Sequence, residues 1–360
     1  MKKKKADGFE QQPAEHAPKL GERVQMGFWK LVETFNNSAA KVLGEIRDPV
    51  PLVFPRHGVV AFDPKTMALE GSSGGAIVSN APLKGLAPRG MATFHTLPMK
   101  DAKVSYQVGD GPWRTSGQTD AGGFEETSLD ELSRDGLSGL DPKVGGLIRV
   151  NIEAEGEKSQ QRILALPKDY DGPIFVSDLN LTLRDVTTTG AALGKDYEPI
   201  AGTDVLLREV AARKVPIVYL SGGFEAQGPW NERFIAQYPP GPLLIRPSAS
   251  MVEIGSNATA DKNMGAYKAS VVGQLKALFP KAQFIGFGDD KHEDPEVYAD
   301  AGFGKNVFIR NAYTPEVDVP ANFEGKVAVT GAIDAEFRKN VLEAVDAALA
   351  KSRSMAAARG

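Results

Sequence analysis

Asp178 closes the apolar run Ile174-Phe175-Val176-Ser177, and Asp289 closes Phe284-Ile285-Gly286-Phe287-Gly288, with Asp290 and Asp294 just behind it. Ser221 follows Val218-Tyr219-Leu220, and Lys268 lies in a helical stretch ahead of the Asp289 run. A carboxylate at the tip of a buried strand is costly to desolvate unless it meets a cation. Asp178 and Asp289, with Asp290 or Asp294, offer the hard oxygen ligands that Mg2+ prefers. A carboxylate can also attack phosphorus and form an aspartyl-phosphate. Lys268 can balance the charge of nucleophile and phosphate, and Ser221 can hydrogen-bond a phosphoryl oxygen. Taken singly, each has a plainer reading: a strand-end Asp as turn former, Ser221 as a turn residue, Lys268 on a solvated helix face. Their combination, in this order and at these strand ends, points to a site.

The elements that must position these residues are legible. Short apolar runs at 174–177, 217–220, 243–245, 284–287, 307–309 and 327–329 read as strands buried on both faces. Helical patterns at 203–213, 228–237, 265–279, 295–301 and 333–350 separate them. This alternation predicts an α/β fold with a doubly wound parallel sheet, whose site sits at the carboxyl ends of the strands. Ahead of it, residues 52–166 hold no long helical pattern. Short strand-like runs at 59–62, 90–95, 104–108, 146–152 and 162–166 alternate with turns, and Asp110-Gly111 is a hairpin signal. That texture predicts an all-β sandwich or barrel. Gly71-Ser72-Ser73-Gly74-Gly75 lacks the Gly-Lys-Ser/Thr ending of a phosphate loop and reads as a plain loop. The expected organisation is a basic arm and amphipathic helix over 1–50, a β-sandwich over 51–168 and an α/β domain over 169–352.

The stretch Ile174-Phe-Val-Ser-Asp-Leu-Asn-Leu-Thr182 resembles the first motif of the haloacid-dehalogenase superfamily. The closer resemblance is to the phosphatidate phosphatase catalytic domain of the yeast actin-patch type, related to the lipins. Pro216-Ile-Val-Tyr-Leu-Ser-Gly222 is similar to that family's second motif, and Pro240-Gly-Pro-Leu-Leu-Ile-Arg246 to its next strand. Lys268, Leu278-Phe279-Pro280, Phe284 to Asp289 and Asp294-Pro-Glu-Val-Tyr298 carry its most specific spacing. The resemblance covers about residues 165–312. More weakly, Thr119-Asp120-Ala-Gly-Gly-Phe124 is similar to a turn in the β-domain that precedes the catalytic domain in bacterial members. It implies a haloacid-dehalogenase-like fold and Mg2+-dependent hydrolysis of a phosphoric monoester, such as phosphatidate, through an aspartyl-phosphate. Asp178 would be nucleophile and Mg2+ ligand, Ser221 would bind phosphate, and Lys268 would stabilise the phosphoryl group. Asp289 would hold Mg2+ with Asp290 or Asp294 assisting, and the backbone carbonyl of Asn180 would complete the metal shell.

The chain departs from the family at one position that matters. The motif is Asp-x-Asp-x-Thr, and here it reads Asp178-Leu179-Asn180-Leu181-Thr182. The second Asp protonates the leaving alkoxide and then deprotonates the attacking water; a neutral amide can do neither. Such help is worth about 10²–10⁴-fold. Leu181 also replaces a residue that is often acidic. The expectation is a phosphatase with reduced or altered activity; the alternative is a catalytically silent relative that binds a phospholipid or phosphometabolite, or an enzyme altered at this position.

The remaining sequence narrows the partners. A net charge of -4 argues against a general nucleic-acid binder, and the absence of cysteine excludes thiol nucleophiles and zinc–thiolate sites. From Glu22 to Ile46, apolar residues recur at helical spacing with Phe28, Trp29 and Phe35 among them, downstream of Lys2-Lys3-Lys4-Lys5. This helix fits peripheral contact with anionic lipid, or packing on the β-domain; Glu22, Glu33 and Glu45 favour the second. No apolar segment of signal-peptide type follows the lysines, so the expected location is cytoplasmic, with membrane contact at most peripheral. His16, His57, His95 and His292 show no metal-ligand spacing. His292, in the loop after Asp289, reads as a surface residue or as a substitute acid or base.

Overall fold

The computed structural model describes residues 50–81, 97–186, 198–225, 228–247, 264–291, 293–312, 319–328 and 333–358. The expected helix over 22–46, the strand over 90–95, His16, His95 and His292 lie outside the described residues.

Two sheets form before residue 168. The first joins β1 (Val50–Arg56), β4 (Gly75–Ala81), β5 (Leu97–Pro98) and β8 (Phe124–Glu126). The second contains β2 (Gly58–Phe62), β3 (Leu69–Ser72), β6 (Lys103–Val108), β7 (Arg114–Gln118), β9 (Gly146–Ala154) and β10 (Glu157–Pro167), in the order β3-β2-β10-β9-β6-β7. Both contribute to one apolar core: Ala76 and Val78 of β4 pack with Val60, Val104, Ile148 and Val150 of the second sheet. Asp110-Gly111 turns the chain between antiparallel β6 and β7, as its hairpin signal predicts. β1 was not anticipated; it carries prolines at 51 and 55. It pairs with β4 alone among the described strands, and an edge strand tolerates proline's missing N–H. The glycine run 71–75 is no phosphate loop; it carries the chain from β3 to β4, and Gly74 (φ +70°) approaches so closely that a Cβ would meet the Arg56 carbonyl at 2.0 Å. A short helical turn, α1 (Leu129–Glu131), completes this half.

The second half is a mixed α/β structure around a parallel sheet. Its strands are β11 (Pro173–Asp178), β12 (Ile217–Phe224), β13 (Leu243–Arg246), β14 (Gln283–Asp289), β15 (Val307–Arg310) and β16 (Lys326–Ala328). The order is β13-β12-β11-β14-β15-β16, and every neighbouring pair is parallel. The helices are α2 (Thr203–Ala212), α3 (Gly228–Ile235), α4 (Met264–Leu278), α5 (Asp294–Asp300) and α6 (Ala335–Ala357). One face of the sheet, with Phe175, Tyr219 and Phe287, packs on Leu206 of α2, Phe234 of α3 and Val341 of α6. The other, with Ile174, Val176 and Val218, packs on Val272 of α4 and Tyr298 of α5. Burial on both faces is why these strands read as uninterrupted apolar runs.

The two halves share that second core. Val59, Ala61, Leu164 and Leu166 face the α/β sheet's helices, while their neighbours Val60, Phe62, Ile163 and Ala165 face the β core. β2 and β10 are therefore buried on both sides by their alternating residues. The strand order reverses between β11 and β14, which is where open α/β sheets place their ligands.

Candidate active site

Asp178 and Asp289 end the two strands that flank this reversal, in register through Ser177 and Phe287. With Asp294, the first residue of α5, they place carboxylate oxygens within 4.8 Å of one another, all three buried. Gly288 makes this possible: a Cβ there would lie 2.5 Å from the Asp294 side chain. Asp294 Oδ2 also accepts the backbone N–H of Asp289 at 3.1 Å, which locks helix to strand. Lys268 reaches in from α4, 1% exposed, with Nζ 2.8 Å from Asp178 Oδ1 and bonded to Asp294 Oδ1. The helix-face reading of Lys268 is thus wrong, because its stem is buried and its ammonium lies among acids.

The electrostatics follow from three carboxylates meeting one ammonium. Burial would lower the Lys268 ammonium, but Asp178, Asp294 and Asp289 outweigh it and raise its pKa, so it stays charged. Burial, with Asp178 and Asp289 facing it, pushes the Asp294 carboxyl up to about 8 against the pull of Lys268. Such an acid-rich pocket of hard oxygens fits a divalent cation.

The loop after β11 is closed by its own hydrogen bonds. Leu183 N–H donates to Leu179 at 2.8 Å and Leu181 N–H to Arg184 at 2.8 Å. Leu181 adopts φ +59°, and its carbonyl accepts from the Arg310 guanidinium. Thr182 Oγ1 donates to Asp178 Oδ2 at 3.1 Å, so Thr182 and Lys268 grip opposite oxygens of the same carboxylate. Leu179, Leu181 and Leu183 are buried and seat the loop.

Asn180, 4% exposed, accepts a hydrogen bond on Oδ1 from Arg184 Nε at 2.7 Å. Arginine only donates, so this bond settles which end of the amide faces it. Arg184 is fully buried; Nη2 donates to Asn231 Oδ1 at 2.6 Å, and the guanidinium lies 3.7 Å from the Trp230 ring centroid and 5.0 Å from that of Phe234.

Of the remaining expected residues, Ser221 ends up beside the cluster. Asp178 is in register with Leu220, and the next residue, Ser221, is buried with Oγ accepting from Gly223 N–H at 3.2 Å. Asp290 has partners of its own: Oδ1 accepts from Ala312 N–H at 2.8 Å and Oδ2 lies 3.2 Å from Lys291 Nζ. Asp290 lies just past the end of β14, in the turn, and it is Asp294 that joins Asp178 and Asp289 in the cluster. Asn180 offers a metal no side-chain oxygen that Arg184 does not already hold. Arg184, Arg310 and Asn231 were missed; the available signal was an arginine inside the apolar stretch Leu179 to Val186.

No curated protein shows a significant match to this chain. A solved structure, described as "The active site of a carbohydrate esterase displays divergent catalytic and non-catalytic binding functions", covers 85% of this chain and 98% of its own at 10% identity, with a TM-score of 0.22, a likeness too slight to place the fold. Residues 168–309 match the family described as "Phosphatidate phosphatase APP1, catalytic domain", and they contain every residue of the cluster above.

Proposed function

We propose that the chain is a Mg2+-dependent phosphatase of the phosphatidate phosphatase type, acting through an aspartyl-phosphate on Asp178, with turnover limited by Asn180. In this reading residues 51–168 form a β-sandwich domain and 169–352 a haloacid-dehalogenase-like, doubly wound catalytic domain. The observation that carries it is Asp178 at the strand-order reversal, gripped by Lys268 and Thr182 and facing Asp289 and Asp294.

Asp178, Asp289 and Asp294, with the backbone carbonyl of Asn180, would hold Mg2+, which when bound supplies positive charge against the phosphoryl oxygens. Lys268, kept protonated by its acidic neighbours, leaves Asp178 ionised and adds a second positive charge. Ser221 donates its hydroxyl to a phosphoryl oxygen. Attack by Asp178 forms a new O–P bond and breaks the ester O–P bond, so the leaving oxygen must find a proton. Asn180 has none to give, and the departing group takes it from water. An aryl oxide tolerates this and a glycerol alkoxide does not, so the family's phosphorylated lipid is the harder substrate for this chain. Phosphate release from an aryl phosphate should therefore depend on Mg2+, vanish in Asp178→Ala, and extend to alkyl phosphates in Asn180→Asp. Release that survives Asp178→Ala would sink the mechanism.

The bond from Arg184 to Asn180 favours a second reading, a silent phospholipid- or phosphometabolite-binding relative. Wild type would then release no phosphate yet bind inorganic phosphate with Mg2+. No described helix is long and apolar enough to cross a membrane. We place the protein in the cytoplasm, with any bilayer contact peripheral and through residues 22–46. Equal co-sedimentation with anionic vesicles after deletion of residues 1–46 would exclude that anchor.

A further inference from the structure

The helix α3 is gripped from two sides. Trp230, Asn231 and Phe234 surround the Arg184 guanidinium, which holds Asn180 of the catalytic loop. Glu232, the next residue after Asn231, points instead to the β sheets. Its Oε1 lies 2.7 Å from His57 Nε2 and its Oε2 bonds Arg162 Nη2. His57 Nδ1 accepts the backbone N–H of Arg162 at 2.8 Å, so the neutral ring carries its proton on Nε2 and donates it to Glu232. Consecutive helical residues project about 100° apart, which is how adjacent positions serve opposite neighbours.

The helix is too short to hold itself in place. It spans 8 residues, and isolated helices below roughly 12–15 residues are marginal in water. Its position is set by its neighbours: Phe234 and Ile235 in the apolar core, and these two polar grips, which one short rigid element joins.

We propose that Arg184 positions Asn180 in the catalytic loop, and that α3 makes this hold depend on Glu232 and its partners His57 and Arg162 in the β sheets. Glu232 and Arg184 are positioning residues in this proposal. The effect on turnover rests on the phosphatase reading; the effect on the placement of Asn180 does not.

The test follows the Asn180 side-chain amide by NMR in the full chain labelled with 15N-asparagine, the signal being assigned by its loss in Asn180→Asp. Arg184→Lys keeps the charge but loses the fork that spans Asn180 and Asn231, and it should move the signal directly. Glu232→Ala should also move it and speed its exchange, with Glu232→Gln intermediate because a neutral acceptor remains for His57. Asp346→Asn, which breaks the exposed Arg213–Asp346 pair, should leave it in place. On an aryl phosphate, Glu232→Ala should lower kcat by about tenfold with little change in KM, as for a small misplacement of a catalytic loop. An unmoved Asn180 signal in a cooperatively melting Glu232→Ala protein overturns the proposal. Should that variant not fold, Glu232→Gln and Arg162→Lys decide by the same signal. If wild type releases no phosphate, the phosphatase reading fails while the amide signal still decides this one.

Discussion

Two ionic clusters stand out among the described residues, and they are built differently. At the seam between the β sheets and the α/β half, Arg56 meets Glu225 and Arg162 meets Glu232, with a neutral His57 between. Each of these guanidiniums has a carboxylate partner. At the strand-order reversal, Lys268 faces Asp178, Asp289 and Asp294. The difference separates structural from functional chemistry. Closed pairs register two surfaces and need nothing more. A surplus of buried carboxylate is stable only with a bound proton or cation, and that demand is what a metal-dependent phosphoryl site can use.

Removing Lys268 attacks the comparison hardest. Lys268→Met keeps most of the buried stem and deletes the cation, and removing one partner of a buried ionic group costs about 3–5 kcal/mol. The melting temperature should fall in chelator, and added Mg2+ should raise it more than in wild type, because the cation now meets an acid cluster that has lost the Lys268 charge. Equal Mg2+ stabilisation in both proteins would mean that the acids do not converge on a metal.

A gentler pair of substitutions separates the clusters. Gly288→Ala places a Cβ 2.5 Å from Asp294, and Gly74→Ala places one 2.0 Å from the Arg56 carbonyl beside the seam. Both should destabilise, by about 1–3 kcal/mol for an overpacked site. Only Gly288→Ala should also weaken Mg2+ binding, by about tenfold, as outer-shell changes at metal sites do. Calorimetric titration with Mg2+ reads the difference directly, and a like loss in Gly74→Ala would erase the distinction between seam and site.

The sequence showed the site's cluster more clearly than the seam. Asp178, Ser221 and Asp289 were legible because parallel strands put their carboxyl-end residues together, and Lys268 through its spacing to Asp289 and Asp294. The choice between Asp290 and Asp294 was not, since it depends on how α5 docks against Gly288. The inner strands of the α/β half matched their apolar runs, whereas β1, with prolines at 51 and 55, was not read as a strand. The seam was invisible: His57, Arg162 and Glu232 lie far apart in sequence and have no spacing of their own. Arg184 was overlooked for a related reason, because the ring that covers it comes from a helix some way along the chain. Local pattern reports what one element does, and contacts between elements need the fold.

The smallest effect distinguishes the clusters by pH. Burial, the largest influence, holds the His57 imidazole below its usual value; Glu232 opposes this and the Arg162 charge adds to it. The folded value is below the unfolded one of about 6.5, so its contribution to stability is present above that pH and lost as pH falls through the folded value. Glu232 acts in the same direction: burial would raise it, but His57 and Arg162 hold it low. Asp294 has the opposite sign. Its carboxyl is raised, so in metal-free protein its contribution is present below the ordinary carboxyl range and is lost as pH rises through about 8. Acid should therefore loosen the seam and alkali the metal-free site. Between pH 7 and 5, His57→Gln should lose less stability than wild type, by at most about 1.4 kcal/mol per pH unit. Between pH 6 and 9 in chelator, Asp294→Asn should lose less than wild type, and Mg2+ should remove that difference. Thermal melts across both ranges test the pair, and parallel curves for His57→Gln and wild type on the acid side would show that the seam is not held by a neutral histidine.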